Sequence, residues 1–174
     1  MNKKFIARII TITCICFPLI NHSQTSDKEI VYSNNIYTIT TENKIGEVGE
    51  IISIHKKENN TSITIGNGAI YFVDVIDNYI IIDEGTGVYR GVIIYDMVNQ
   101  KKIMETSYMG ELQILGNEIY FWQEVRIKNE KEKPKCPQSI IDIGYGICYL
   151  ENLIYDIKKK KLIRTQKYTC SYCE

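Results

Sequence analysis

Four cysteines, Cys136, Cys148, Cys170 and Cys173, carry the strongest chemical signal in this 174-residue sequence. Cys170-Ser171-Tyr172-Cys173 has the spacing of half a zinc site, but Cys136 and Cys148 stand twelve positions apart. A thiolate zinc site wants its second pair about three to five positions apart, so no metal is expected. A catalytic Cys-x-x-Cys usually opens a helix, whose N-terminal dipole lowers the thiol pKa. Here the pair sits in the last residues of the chain, and redox catalysis is not favoured. An even set of cysteines in an exported chain reads as two disulfides. Three pairings are open; Cys136–Cys170 with Cys148–Cys173 is the favoured one, tying a charged loop to the last hairpin.

The segment Asp83 to Gly91 is the candidate ligand-binding site, with two carboxylates, a hydroxyl, glycines and an arginine close together. Asp83, Glu84, Thr86 and Arg90 are its polar members, and Trp122, beside Tyr120 and Phe121, is a candidate platform for a sugar or a partner. Asp83 and Glu84 lack the alternating spacing of an EF-hand loop. As neighbours on a strand they would point to opposite faces, which argues against an acid/base pair. The plain reading is a hairpin loop with Arg90 paired to an acid, and a Trp122 that packs in a core. Beyond the first 23 residues there is one histidine, His55, within a strand-like run. No nucleophile elbow, His-Glu-x-x-His helix or phosphate-cradling loop is present. No catalytic residue and no cofactor is expected.

The compartment is read from residues 1–23. Lys3, Lys4 and Arg8 form a basic head, an apolar run extends to Ile20, and Asn21-His22-Ser23 is a polar close. This is the layout of a secretory signal, cut after Ser23. The run is interrupted by Arg8, Thr11 and Thr13 and falls short of the roughly 20 apolar residues a membrane anchor needs. Neither Cys14 nor Cys16 follows a small residue suited to a lipoprotein signal. The expected organisation is a signal peptide over 1–23 and a single domain over 24–174, periplasmic or secreted, from a bacterium, with no membrane span after cleavage. That domain keeps all 21 acids and 18 of the 21 bases, a net charge of −3. It lacks the positive field that non-specific nucleic-acid binding needs. The lysines at 131–135 and 158–161 read as solvated faces.

The elements that must position these residues are strands. The expected domain has 27 isoleucines, five leucines and one alanine, Ala69. β-branching restricts rotation in a helix and suits a pleated strand. Short apolar or alternating runs recur between polar turns: 30–32, 36–40, 48–55, 62–65, 70–76, 79–83, 92–96, 102–107, 112–115, 118–127, 153–157 and 162–168. One break is long, Lys128 to Ser139, charged and carrying Pro134 and Pro137. A loop of that length is functional or mobile. The segment 140–150 is ambiguous, with Gly144 and Gly146 arguing against a helix.

Two segments repeat. Val92-Ile93-Ile94-Tyr95-Asp96 runs through a turn to Lys101-Lys102-Ile103, and Leu153-Ile154-Tyr155-Asp156 runs through a turn to Lys160-Lys161-Leu162. This unit resembles the strand, Tyr-Asp, turn, strand hairpin in blades of bacterial β-propellers. A closed propeller needs at least about four blades of four strands, more than this chain holds. With the stretch Asp83 to Gly91 and the late cysteines, the chain also resembles small exported bacterial β proteins of no assigned activity. That resemblance implies an address and a fold but no chemistry. The expectation is an all-β antiparallel meander, as a small sandwich or barrel-like domain with partial blade-like hairpins. Its expected role is to bind an unknown protein or an envelope or extracellular ligand, without catalysis. The alternatives are a hydrolase working through carboxylates such as Asp83, Glu84 or Glu124, and a structural part of a β assembly.

Overall fold

A computed structural model describes residues 27–142 and 144–173; the expected signal lies outside them. The isoleucine-rich runs form eleven strands, each antiparallel to its neighbours. The first sheet contains β1 (Lys28–Ser33), β2 (Tyr37–Asn43), β3 (Glu50–Lys56) and β4 (Thr61–Ile65) in chain order. The second contains β5 (Ile70–Ile76), β6 (Tyr79–Glu84), β7 (Tyr89–Asp96), β8 (Lys101–Leu115), β9 (Glu118–Glu124), β10 (Gly146–Asp156) and β11 (Lys161–Cys173), also in chain order. The chain is therefore the all-β meander its sequence implies. A single 3-10 turn (Glu130–Glu132) and a four-residue helix, α1 (Gln138–Ile141), interrupt the long segment between β9 and β10.

Strands of the second sheet are apolar on both faces, and this sets the architecture. In β6, Ile80, Ile81 and Ile82 are all buried although successive side chains point to opposite sides. One face carries Ile80, Ile82 and Ile93, which pack with Tyr37, Ile39, Ile52 and Ile54 of the four-stranded sheet. The other carries Ile81, Val92, Ile94, Ile119, Phe121 and Leu153, a core made wholly by the second sheet. That sheet covers its own inner face by curling. Lys160, in the β10–β11 turn, places its ammonium 5.5 Å from the centre of the Tyr79 ring on β6. In a flat sheet β6 and β10 would lie about 19 Å apart at the usual strand spacing.

The sheets meet at a close backbone approach. A Cβ on Gly49, whose φ is +103°, would lie 2.8 Å from Ala69 Cα and 2.9 Å from Ile70 N. Only a glycine admits this contact without a backbone shift. Beside it the Phe72 amide donates to Glu50 Oε2 at 2.9 Å, linking β5 to β3.

The two Tyr-Asp hairpins share one physical device. Asp96 Oδ1 accepts the amides of Val98 and Asn99, each at 3.0 Å, and Asp156 Oδ1 accepts the Lys159 amide at 2.9 Å. Each turn closes on a residue with positive φ, Gln100 at 53° and Lys160 at 50°. Asp96 pairs with Lys101 and Asp156 with Lys161 in the strand register, so the repeats are equivalent turns capped by an aspartate. Burial works to raise the Asp96 carboxyl, but hydrogen bonds from Asn99 and Val98, with the charge of Lys160, hold its pKa below the ordinary value.

Boundaries differ from the sequence reading in several places; β9 ends at Glu124 rather than 127, and β11 runs on from 168 to Cys173. The runs 102–107 and 112–115 are one strand, β8, because Tyr108 and Met109 are buried and keep the ladder going. Gly110, at φ +80°, absorbs an irregularity as the strand passes from β7 register to β9 register. The strand β7 starts at Tyr89, so only Gly85 to Val88 form a turn. The ambiguous 140–150 segment divides into the end of α1 and the start of β10.

Replacing Asp96 with alanine removes two hydrogen bonds from the turn amides of Val98 and Asn99. It is expected to lower unfolding free energy by about 1–3 kcal/mol in urea titration. A depressed folded pKa contributes stability above the unfolded carboxylate pKa and loses it as pH falls through the folded value. Asp96→Asn should therefore flatten the decline in stability below about pH 4.

Candidate functional site

Asp83, expected to be a ligand or acid, is a buried structural anchor, 7% exposed on the inner face of β6. Arg90 Nε donates to its Oδ1 at 3.0 Å, and a second guanidinium nitrogen pairs with Oδ2. The buried Tyr108 hydroxyl donates to the same Oδ1 at 2.9 Å. Burial first, then the hydrogen bond and charge of Asp83, push the Tyr108 phenol pKa well up, and Arg90 offsets them only in part. Arg90 also lies over the Tyr71 ring at 5.8 Å. The structure thus brings Asp83 and Arg90 together, as a packed ion pair with both carboxylate oxygens engaged. A second acid, Glu151, is fully buried and pairs with Arg164.

The other members disperse. Glu84 faces away from Asp83; its oxygens lie 3.6 Å and 3.2 Å from where Cβ atoms on Gly68 and Gly91 would be, so it is lodged between two glycines. Thr86 is exposed at the tip of the β6–β7 turn. Trp122 is half-buried on β9 and packs with Val88 against Met109, Cys148 and Leu150, the core role that its flanking aromatics suggest. It also borders a hollow of about 590 Å³ with Asn152 and Lys167. His55 points outward from β3, its Nδ1 3.1 Å from Ser62 Oγ.

Both cysteine pairs are disulfides, Cys136–Cys170 and Cys148–Cys173, with Cα–Cα distances of 5.4 and 5.5 Å. The first ties the long segment to β11; the second joins β10 to β11 within the hairpin. Glu124 and the sulfurs of Cys148 and Cys173 lie within 4.8 Å of one another. The two sulfurs are bonded together, so neither offers the thiolate that a metal would take.

The segment from Val125 to Cys136 forms a strap, and between it and β10 runs a groove of about 950 Å³. Ile147 and Tyr149 line it from β10, with Lys133 5.3 Å from the Tyr149 ring centre. Its acids are engaged: Glu124 accepts from the Tyr89 hydroxyl at 2.7 Å, and Glu130 pairs with Lys133 at 2.6 Å. Arg126 and Lys128 also line it, exposed and without an ion pair among the described residues. These residues escape the sequence reading, whose only signal was a long charged segment ending at a cysteine. The Tyr145 and Tyr172 rings, 6.3 Å apart, and Ile147, paired with Tyr172, extend this end of the hairpin as an exposed apolar face.

No protein-family model, no curated protein and no solved structure matches this chain. Its chemistry rests on its own geometry.

Asp83→Ala leaves the buried Tyr108 hydroxyl without its acceptor and Arg90, a third exposed, without its acid, and is expected to cost about 1–3 kcal/mol in urea unfolding. A raised Tyr108 pKa gives stability that is present below the unfolded tyrosine value, about 10, and declines as pH rises beyond it. Tyr108→Phe should remove that part of the alkaline decline. Replacing Cys136 and Cys170 together should cost about 2–4 kcal/mol and make the strap a preferred site of limited proteolysis.

Proposed function

We propose that this protein is an exported binding module that holds its ligand or partner in the groove beneath the strap, without transforming it. The observation that carries the reading is the Cys136–Cys170 bond, which anchors an otherwise irregular segment against β11 beside that groove. A loop held by a covalent tie keeps its shape before binding, which lowers the entropy lost on association. Disulfides persist in oxidising compartments, in keeping with an exported domain over residues 24–174. Among the described residues no helix is long and apolar enough to cross a membrane. Asp83, the strongest acid candidate for a hydrolase, is engaged on both oxygens by Arg90 and Tyr108.

With Arg126, Lys128 and Lys133 against Glu124 and Glu130, the groove lining carries a net charge of +1 beside the aromatic Tyr149, which favours an anionic protein or envelope component. Immobilised wild-type protein should retain such a component from the exported fraction of its own cells. The double variant Arg126→Ala, Lys128→Ala should retain about ten-fold less, with unchanged unfolding, as expected for two charged contacts. Turnover of substrates from a hydrolase panel, with no retained partner, would overturn the reading.

A further inference from the structure

A second cavity, remote in sequence from the strap, lies between β4 and the outer face of the seven-stranded sheet. The four-stranded sheet is too narrow to cover that face, and where β4 ends the cover a cleft of about 380 Å³ remains. Its walls are Ile63 and Ile65 of β4 against Ile82, Ile93 and Tyr95 of β6 and β7. This volume lies within the range of small-molecule sites, and Thr64 and Asn67 add polar groups beside the isoleucine walls. Two charged side chains reach it, Glu84 and Lys102. Lys102 is neutralised by Glu105 at 2.5 Å. The Glu84 carboxylate makes no side-chain hydrogen bond or ion pair among the described residues, and it lies beside Gly68 and Gly91.

We propose that this cleft binds an amphipathic amine, its apolar body lying along the isoleucines and its cationic head meeting Glu84. The charge arrangement selects the sign: a carboxylate ligand would meet the unneutralised Glu84, and a neutral one would leave it without a partner. The glycines leave the carboxylate room, since a Cβ on Gly91 would stand 3.2 Å from Glu84 Oε2. This site is independent of the strap groove, and either assignment stands without the other.

The test is a titration of the full domain with octylammonium, octanol and octanoate, followed by the δ1-methyl NMR signals of Ile63, Ile65, Ile82 and Ile93. Octylammonium is expected to shift these four methyls and to bind about ten-fold tighter than octanol, as for one charge-assisted contact. Octanoate should bind more weakly than octanol. Glu84→Gln should reduce octylammonium to the octanol level, and Ile65→Trp, which fills the cleft, should abolish all three responses. Octanoate binding as tightly as octylammonium, an unaltered affinity in Glu84→Gln, or shifts confined to other methyls would overturn the proposal. So would β4 amide shifts that depend on protein concentration alone, which would show a second copy pairing on that edge. The three-probe comparison needs only the wild-type protein, so it decides the matter even where a variant fails to fold.

Discussion

The constraint on which the rest of the molecule depends is a sheet with apolar residues on both sides. β6 and β7 carry isoleucines at consecutive positions, so no single layer can bury them. Two solutions are used at once. A narrow second sheet covers part of the outer face, and the wide sheet bends over its own inner face. Sheet twist gives the bend its direction, and bulges in β5, β8 and β10 relieve the ladder where it turns. Each polar feature of interest sits where one of these solutions stops short: the inter-sheet cleft at the end of the cover, and the strap groove at the end of the curl.

The buried charges follow from the same geometry. Asp83 and Glu151 both lie on the second sheet and are withdrawn from water, and each has recruited an arginine from the adjacent strand. Burying a carboxylate is unfavourable without such a partner. The pairs add no evident chemistry, but they fix register, since a one-residue slip would carry each acid to the other face and away from its arginine.

Much of this was legible in the residues, and the failures have physical causes. β-branched runs between polar turns located nearly every strand, since strand formation here is a local pattern of side chains and turns. The repeated Tyr-Asp units were visible, and the structure explains them as one capped turn used twice. The separate runs at 62–65 and 70–76 were visible, but that the chain leaves one sheet for another between β4 and β5 was not, because it depends on Gly49 meeting Ala69 twenty residues away. The continuity of β8 was hidden by Gly110, a residue that usually interrupts a strand and here only bends it. At the candidate site the opposite facing of Asp83 and Glu84 could be read from strand period alone. That one is locked in a core and the other faces a cleft could not, since Tyr108 and β4 reach them only through tertiary folding. The groove was missed altogether, because its cations acquire meaning from a strap whose position is set by a disulfide.

The strict meander also bears on how such a molecule can be assembled. Within each sheet neighbouring strands are consecutive in the chain, so every connection except the strap between β9 and β10 closes a short loop and no early strand waits for a distant partner. A chain emerging gradually, amino end first, could add strands in the order in which they appear and keep few edges bare at any moment. Both covalent ties fall on β11, where Cys170 and Cys173 meet Cys136 and Cys148. They hold down an edge strand of the wide sheet that has only β10 beside it, so hydrogen bonding from one side is supplemented by two covalent bonds.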